Sequence, residues 1–146
     1  MNPVLELRLI ARLRVGIGEF LEAGEVPDGR RRVIPIGAGT VDGPELFGEV
    51  LPLGADWNLV RADGSETVSA RYVIRTRDGV LLSVANDGVI TDRPAGRLGI
   101  TSLKIEAPRD GDYAWLNDAV LVGSLGVDDG PSGVVIILEY WCAVAG

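Results

Sequence analysis

The sequence predicts an all-β fold, a single small antiparallel β-barrel of about eight to ten strands with little or no helix. Three observations carry this. Residues 4–15, VLELRLIARLRV, alternate: Leu5, Leu7, Leu9, Ala11, Leu13 and Val15 fall on one face and Glu6, Arg8, Arg12 and Arg14 on the other, with Ile10 as the exception. Period two over twelve residues is a strand with one buried face. Seven Asp-Gly pairs, starting at Asp28, Asp42, Asp63, Asp78, Asp87, Asp110 and Asp129, punctuate the chain at strand-length intervals, as hairpin turns do. No long segment has helical periodicity. Many short strands without helices make a sandwich or a barrel, and a meander of hairpins closes readily into a barrel, which removes exposed edges.

Composition narrows the functional classes. The 146 residues suit one domain, 1–146, and 47% of them are apolar, enough to build a core. No apolar run approaches the roughly 20 residues that span a bilayer. The first residues lack the unbroken apolar core of a signal peptide, so the expectation is a soluble cytoplasmic protein without a membrane partner. Net charge is −7 and the only basic run is Arg30-Arg31-Arg32, so no nucleic-acid partner is expected. Cys142 is the single cysteine and Lys104 the single lysine. There is no histidine, which excludes Ser-His-Asp and Cys-His catalysis and the usual histidine-based metal sites. No metal and no cofactor are expected, and acid–base chemistry falls to Asp, Glu, Tyr, Arg, Lys104 or Cys142.

After the opening strand, residues 16–29 read as a loop covering one end of the sheet, with room for one helical turn around Glu19–Ala23. A strand follows over 31–36. Gly37-Ala38-Gly39 and Gly43 lack the spacing of a dinucleotide fingerprint, and Pro44 leaves no room for its helix, so they read as a bulge or tight turn. Further strands are expected near 46–53, 56–62, 66–77, 79–86, 88–93, 98–107, 113–125 and 133–144. The last is apolar on both faces: Val134, Ile136, Leu138, Tyr140 and Cys142 on one, Val135, Ile137, Trp141 and Ala143 on the other, with Glu139 alone among them. A barrel strand with an apolar outer face points to a homo-oligomer joined through it.

The segments GAGTVDGPELFGEVLPLGADW (37–57), ARYVIRTRDGVLLSVANDGV (70–89) and DYAWLNDAVLVGSLG (112–126) resemble an uncharacterised family, domain of unknown function 3237, among the UPF-type proteins. With the opening strand they cover nearly the whole chain. The resemblance implies a small antiparallel barrel and attaches no activity to it. One departure is that residues 93–111, RPAGRLGITSLKIEAPRDG, carry no aromatic residue where the family pattern leads one to expect some.

Few side chains are suited to chemistry. Asp56 and Trp57 begin a strand; Asp56 could act as a base or accept a ligand hydroxyl, and Trp57 could form a stacking wall, or the pair could cap and plug the barrel end. Tyr72 shares a face with Val68, Ala70 and Ile74, so its phenol should point inward, to a ligand carbonyl or to a structural partner. Trp115 and Asn117 could present a wall and an amide, or serve as core and turn. Asn86 precedes Asp87-Gly88 and is a ligand contact or turn chemistry. A desolvated Glu139 could be a general acid or base, or pair with an arginine.

These residues suggest a barrel that binds a small apolar or aromatic molecule. As an enzyme it would be a cofactor-independent isomerase, cyclase or lyase acting on a carbonyl compound, with Asp56, Tyr72 and Glu139 as catalytic groups and Trp57, Asn86, Trp115 and Asn117 as ligand contacts. The alternatives are a carrier with the same pocket, and a structural or interaction module whose barrel interior is filled.

Overall fold

The computed structural model describes residues 3–131 and 133–146. Among the described residues there are ten strands: β1 (Leu5–Ile17), β2 (Leu21–Val26), β3 (Gly29–Asp42), β4 (Gly48–Val50), β5 (Ala55–Val60), β6 (Glu66–Thr76), β7 (Leu81–Arg93), β8 (Gly96–Glu106), β9 (Leu121–Gly130) and β10 (Gly133–Ala145). A 3₁₀ turn, Ala114–Asn117, precedes β9. Every pairing is antiparallel. The ring runs β1-β10-β9-β8-β7-β6, crosses to β3 through β4 and β5, and closes where β3 pairs back onto β1. β2 folds over the first part of β3 as a hairpin. The fold is the expected β-barrel.

Several local expectations are corrected. Asp63-Gly64 and Asp78-Gly79 are turns, with φ of 85° and 87° at the glycines. Asp87-Gly88, by contrast, lies inside one continuous strand, β7. A Cβ on Gly88 would stand 2.3 Å from the Ile100 carbonyl oxygen, so this glycine serves the close approach of β8 rather than a reversal. The β7–β8 hairpin turns instead at Pro94-Ala95, between the paired Arg93 and Gly96. Residues 21–26, expected within a loop, form β2. The strand expected over 113–125 begins only at Leu121. Of the two readings of Gly37–Gly39, the bulge holds and the tight turn does not: β3 runs through the segment, with its extra residue facing β1 between Val15 and Ile17.

Ile10, the one residue out of phase in β1, marks a second bulge. Leu9 faces Trp141 and Ala11 faces Tyr140, so Ile10 is the extra residue. Ile10 and Ala11 are both fully buried. The bulge flips the strand, so Leu5 and Leu7, expected on the buried face with Leu13, are 72% and 58% exposed on the outside.

Inside, the core runs through Leu13, Val41, Leu46, Val50, Ile74, Leu82, Val84, Leu103, Ile105, Leu121 and Tyr140. Leu116 of the 3₁₀ turn is buried in this cluster and fills one end, with Tyr113 and Trp115 packed against it. In β10, Leu138, Tyr140 and Cys142 face inward, while Ile137, Glu139, Trp141 and Ala143 form a half-buried outer row. Among the described residues no helix is long and apolar enough to cross a membrane.

Candidate functional site

The end of the barrel opposite the 3₁₀ turn is open. A cavity of about 440 Å³ enters there, so the interior is not filled throughout. Its volume falls inside the roughly 300–1,000 Å³ range of small-molecule sites. Alternation decides what lines it. Ile34, Asp56, Ala70, Asn86 and Leu103 are register partners across β3, β5, β6, β7 and β8, and so form one inward row. The first four of these line the cavity, together with Val15, Ile36, Val68, Leu125, Ile136 and Leu138. Ala70, the small member of the row, leaves space between Asp56 and Asn86, which stand two strands apart, about 10 Å at the usual strand spacing.

Tyr72 is the cavity's polar floor. It is 4% exposed, and its hydroxyl is hydrogen-bonded to that of Tyr140, which is fully buried behind it. The Asn86 Nδ2 donates to the Tyr72 oxygen over 3.4 Å. Burial pushes the Tyr72 phenol up to about 12, against the opposing effect of its hydrogen bonds from Tyr140 and Asn86. Burial also raises Tyr140 well above the ordinary 10.0. Both phenols are therefore protonated at neutral pH and act as donors, not as bases. Asn86 is 2% exposed, and its Oδ1 has no hydrogen-bond partner among the described residues. The only other such side-chain atom among the described residues is Thr101 Oγ1, which sits against Gly123 and does not line the cavity.

Asp56 stands on the cavity wall where the β5–β6 ladder loosens, and its Oδ1 accepts the Ser69 N–H at 2.8 Å. Burial raises its carboxyl above the ordinary 3.8, more than the hydrogen bonds from Ser69 and Asn58 lower it. A carboxylate with a raised pKa on an apolar wall is suited to exchange a proton with a bound molecule.

Above Asp56 the rim carries a charged network that the sequence reading did not anticipate. Asn58 Oδ1 accepts from the Arg32 Nε and Nη2 at 3.0 and 2.8 Å, and the Asn58 amide donates to Glu66 at 3.0 Å. Glu66 also receives Arg32 at 2.7 Å and Arg97 at 2.9 Å. Burial pushes the Glu66 carboxyl up, but hydrogen bonds from Arg97 and Asn58 and both positive charges outweigh it and hold it below the ordinary 4.5. The Arg32 guanidinium lies 4.9 Å over the Phe20 ring, which forms the outer lip. Arg32, part of the basic run Arg30-Arg31-Arg32, is thus a part-buried organiser of the mouth. Parity held the clue: Asn58 shares a face with Asp56, and Glu66 shares one with Val68, Ala70 and Tyr72.

Of the sequence-derived candidates, the structure brings Asp56, Tyr72 and Asn86 together around one cavity. It does not bring the others there. Trp57 points to the outside and is 53% exposed, because its neighbours Asp56 and Asn58 take the inward positions. Glu139 is on the outer wall and pairs with the Arg12 Nε at 2.7 Å, since Leu138 and Tyr140 occupy the inward positions of β10. Trp115 packs at the closed end. Asn117 is bonded to the backbone there, accepting from Ala107 N–H at 2.9 Å and donating to the Ala107 and Ala114 carbonyls. Among the described residues no cluster of three or more Cys, Asp and Glu side chains could hold a metal ion.

Comparison with known proteins agrees with this architecture. A solved β-barrel-like protein from Acinetobacter baumannii AYE superposes with a TM-score of 0.89 at 27% identity, covering 99% of both chains. A conserved protein of unknown function from Rhodopseudomonas palustris gives 0.86 at 28% identity over 98% of this chain and 100% of that one. An enzyme from Penicillium herquei shares the fold at a TM-score of 0.75 and 20% identity, over 99% of this chain and 97% of that one. In sequence, a UPF0311 protein from Rhodopseudomonas palustris strain TIE-1 is 38% identical over 89 residues, 61% of this chain and 58% of that protein. One from Clostridium acetobutylicum is 40% identical over 85 residues, 58% of this chain and 49% of its own. The chain thus matches only about half the length of these curated relatives. The family described as protein of unknown function DUF3237 matches residues 5–141, and the chain belongs to that family.

Proposed function

We propose that the open end of the barrel binds a small, largely apolar carbonyl compound and moves a proton on it without a cofactor. The observation that carries this reading is the placement, on one inward wall of an apolar cavity, of a carboxylate with a raised pKa and a phenol held protonated. Asp56 pairs with Ala70, and Tyr72 lies two residues further along β6. The phenol of Tyr72 donates to the carbonyl oxygen. Asp56 takes a proton from the adjacent carbon, and the C–H pair becomes the C=C bond of an enolate. Asp56 then returns that proton to another atom of the same molecule. No electron acceptor is needed, which makes isomerisation or ring closure the reaction classes that fit. Glu139 has no part in this, being on the outer wall.

The assay is deuterium exchange at the α-carbon of 2-tetralone in D₂O, followed by proton NMR. The protein is expected to accelerate exchange, Asp56→Asn to abolish the acceleration, and Glu139→Gln to leave it unchanged. Binding of 2-tetralone with no acceleration would instead identify a carrier.

A further inference from the structure

We infer that the floor of the cavity recognises a hydroxyl on an sp² carbon, a phenol or an enol, with Tyr72 as donor and Asn86 Oδ1 as acceptor. The inference deepens the proposed function and rests on the same cavity, and it follows from counting hydrogens. Tyr140 is fully buried and, among the described residues, its hydroxyl has one partner, Tyr72. If Tyr72 donated to Tyr140, the Tyr140 hydrogen would be sealed in the core without an acceptor, the costliest arrangement for a hydroxyl. Tyr140 therefore donates to Tyr72. The Asn86 Nδ2 approaches the same oxygen at 3.4 Å. With both lone pairs of Tyr72 facing donors, its own hydrogen is left for the cavity.

Beside it, Asn86 Oδ1 is an acceptor buried to 2% exposure with nothing to accept. A ketone or an ether satisfies Tyr72 and leaves Asn86 Oδ1 unpaired. A hydroxyl satisfies both, since its oxygen accepts from Tyr72 while its hydrogen goes to Asn86. Val68, Ala70, Ile136 and Leu138 surround this polar pair with apolar wall, which suits a flat ring body. Between tautomers, the floor matches a neutral enol better than the ketone, because only the enol carries a hydrogen for Asn86 Oδ1.

The test is isothermal titration of the full chain with 2-naphthol, 2-methoxynaphthalene and 2-tetralone. 2-Naphthol is expected to bind about tenfold more tightly than 2-methoxynaphthalene, the scale of one satisfied buried acceptor. Asn86→Leu should bring that ratio close to one, and Asn86→Asp, which keeps an acceptor, should preserve it. Equal binding of the naphthol and its methyl ether by the unmodified protein, or a preference that survives Asn86→Leu, would overturn the hydroxyl inference while leaving cavity binding intact. Failure of all three probes to bind would overturn both. Should Asn86→Leu not fold, the comparison on the unmodified protein decides alone.

Discussion

Tyr140 stands behind Tyr72 across the barrel interior, and the hydroxyl-to-hydroxyl bond between them joins strands β10 and β6 through the core. The bond orients the Tyr72 proton as well as stabilising the barrel. Tyr140→Phe is expected to destabilise the protein by about 1–3 kcal/mol in urea unfolding, because Tyr72 loses a buried donor. Tyr72→Phe leaves the fully buried Tyr140 hydroxyl without a partner and should cost a similar amount. The double substitution should cost less than the sum of the two. Strict additivity would mean that the two hydroxyls are not coupled.

Asp56 gives a pH signature of defined sign. Its native pKa lies above the ordinary 3.8, so between those two values the folded state binds more protons than the unfolded chain. Its contribution to stability therefore falls as pH rises through that window and stays at its low value above it. Asp56→Asn removes this cost, so its stability relative to the unmodified protein should rise from about pH 3 to pH 7. Denaturation midpoints at several pH values measure this. A difference that is flat, or that declines with pH, would contradict the assignment.

Glu66 has the opposite sign. Its native pKa is held below the ordinary 4.5. Its contribution is full above that value and is lost as pH falls through the lower native one. Glu66→Gln should lower stability at neutral pH and converge with the unmodified protein in acid. It should also loosen Arg32 and Arg97 at the mouth, which hydrogen–deuterium exchange over β3 and β8 would register.

The outer ion pair Arg12–Glu139 serves as a control. It is solvent-facing, so Glu139→Gln should change stability by less than about 1 kcal/mol and leave probe binding unaltered. A large effect on binding would return Glu139 to the site.

The flip at Ile10 leaves Leu5 and Leu7 outside, in register with Ala145 and Ala143, beside Trp141 and its partner Val122. This apolar stripe over β1, β10 and β9 is where the chain is expected to self-associate. Sedimentation velocity should show a dimer, and Leu7→Glu should convert it to a monomer. A monomeric parent protein would refute this expectation.

The barrel was legible in sequence because alternation and turn chemistry are local. The Asp63-Gly64 and Asp78-Gly79 turns and the inward parity of Tyr72 needed only neighbours in the chain. Long-range geometry was not legible. Asp87-Gly88 looks like a turn until β8 is seen to run within contact of Gly88. Trp57 and Glu139 stand out by residue type, whereas the inward positions beside them belong to Asp56, Asn58, Leu138 and Tyr140. Arg32 reads as one of three solvated arginines until Asn58 and Glu66, from two other strands, close around it. Strand parity, carried consistently through β5 and β10, would have removed Trp57 and Glu139 and added Asn58 and Tyr140.

The most direct measurement is a crystal structure of the protein with 2-naphthol. The ring is expected between Val68, Ala70 and Leu138, with its oxygen within hydrogen-bonding distance of both the Tyr72 hydroxyl and Asn86 Oδ1. A ring seated on the outer surface beside Trp57, or in the cavity with its oxygen turned toward the Arg32–Glu66 rim, would contradict it.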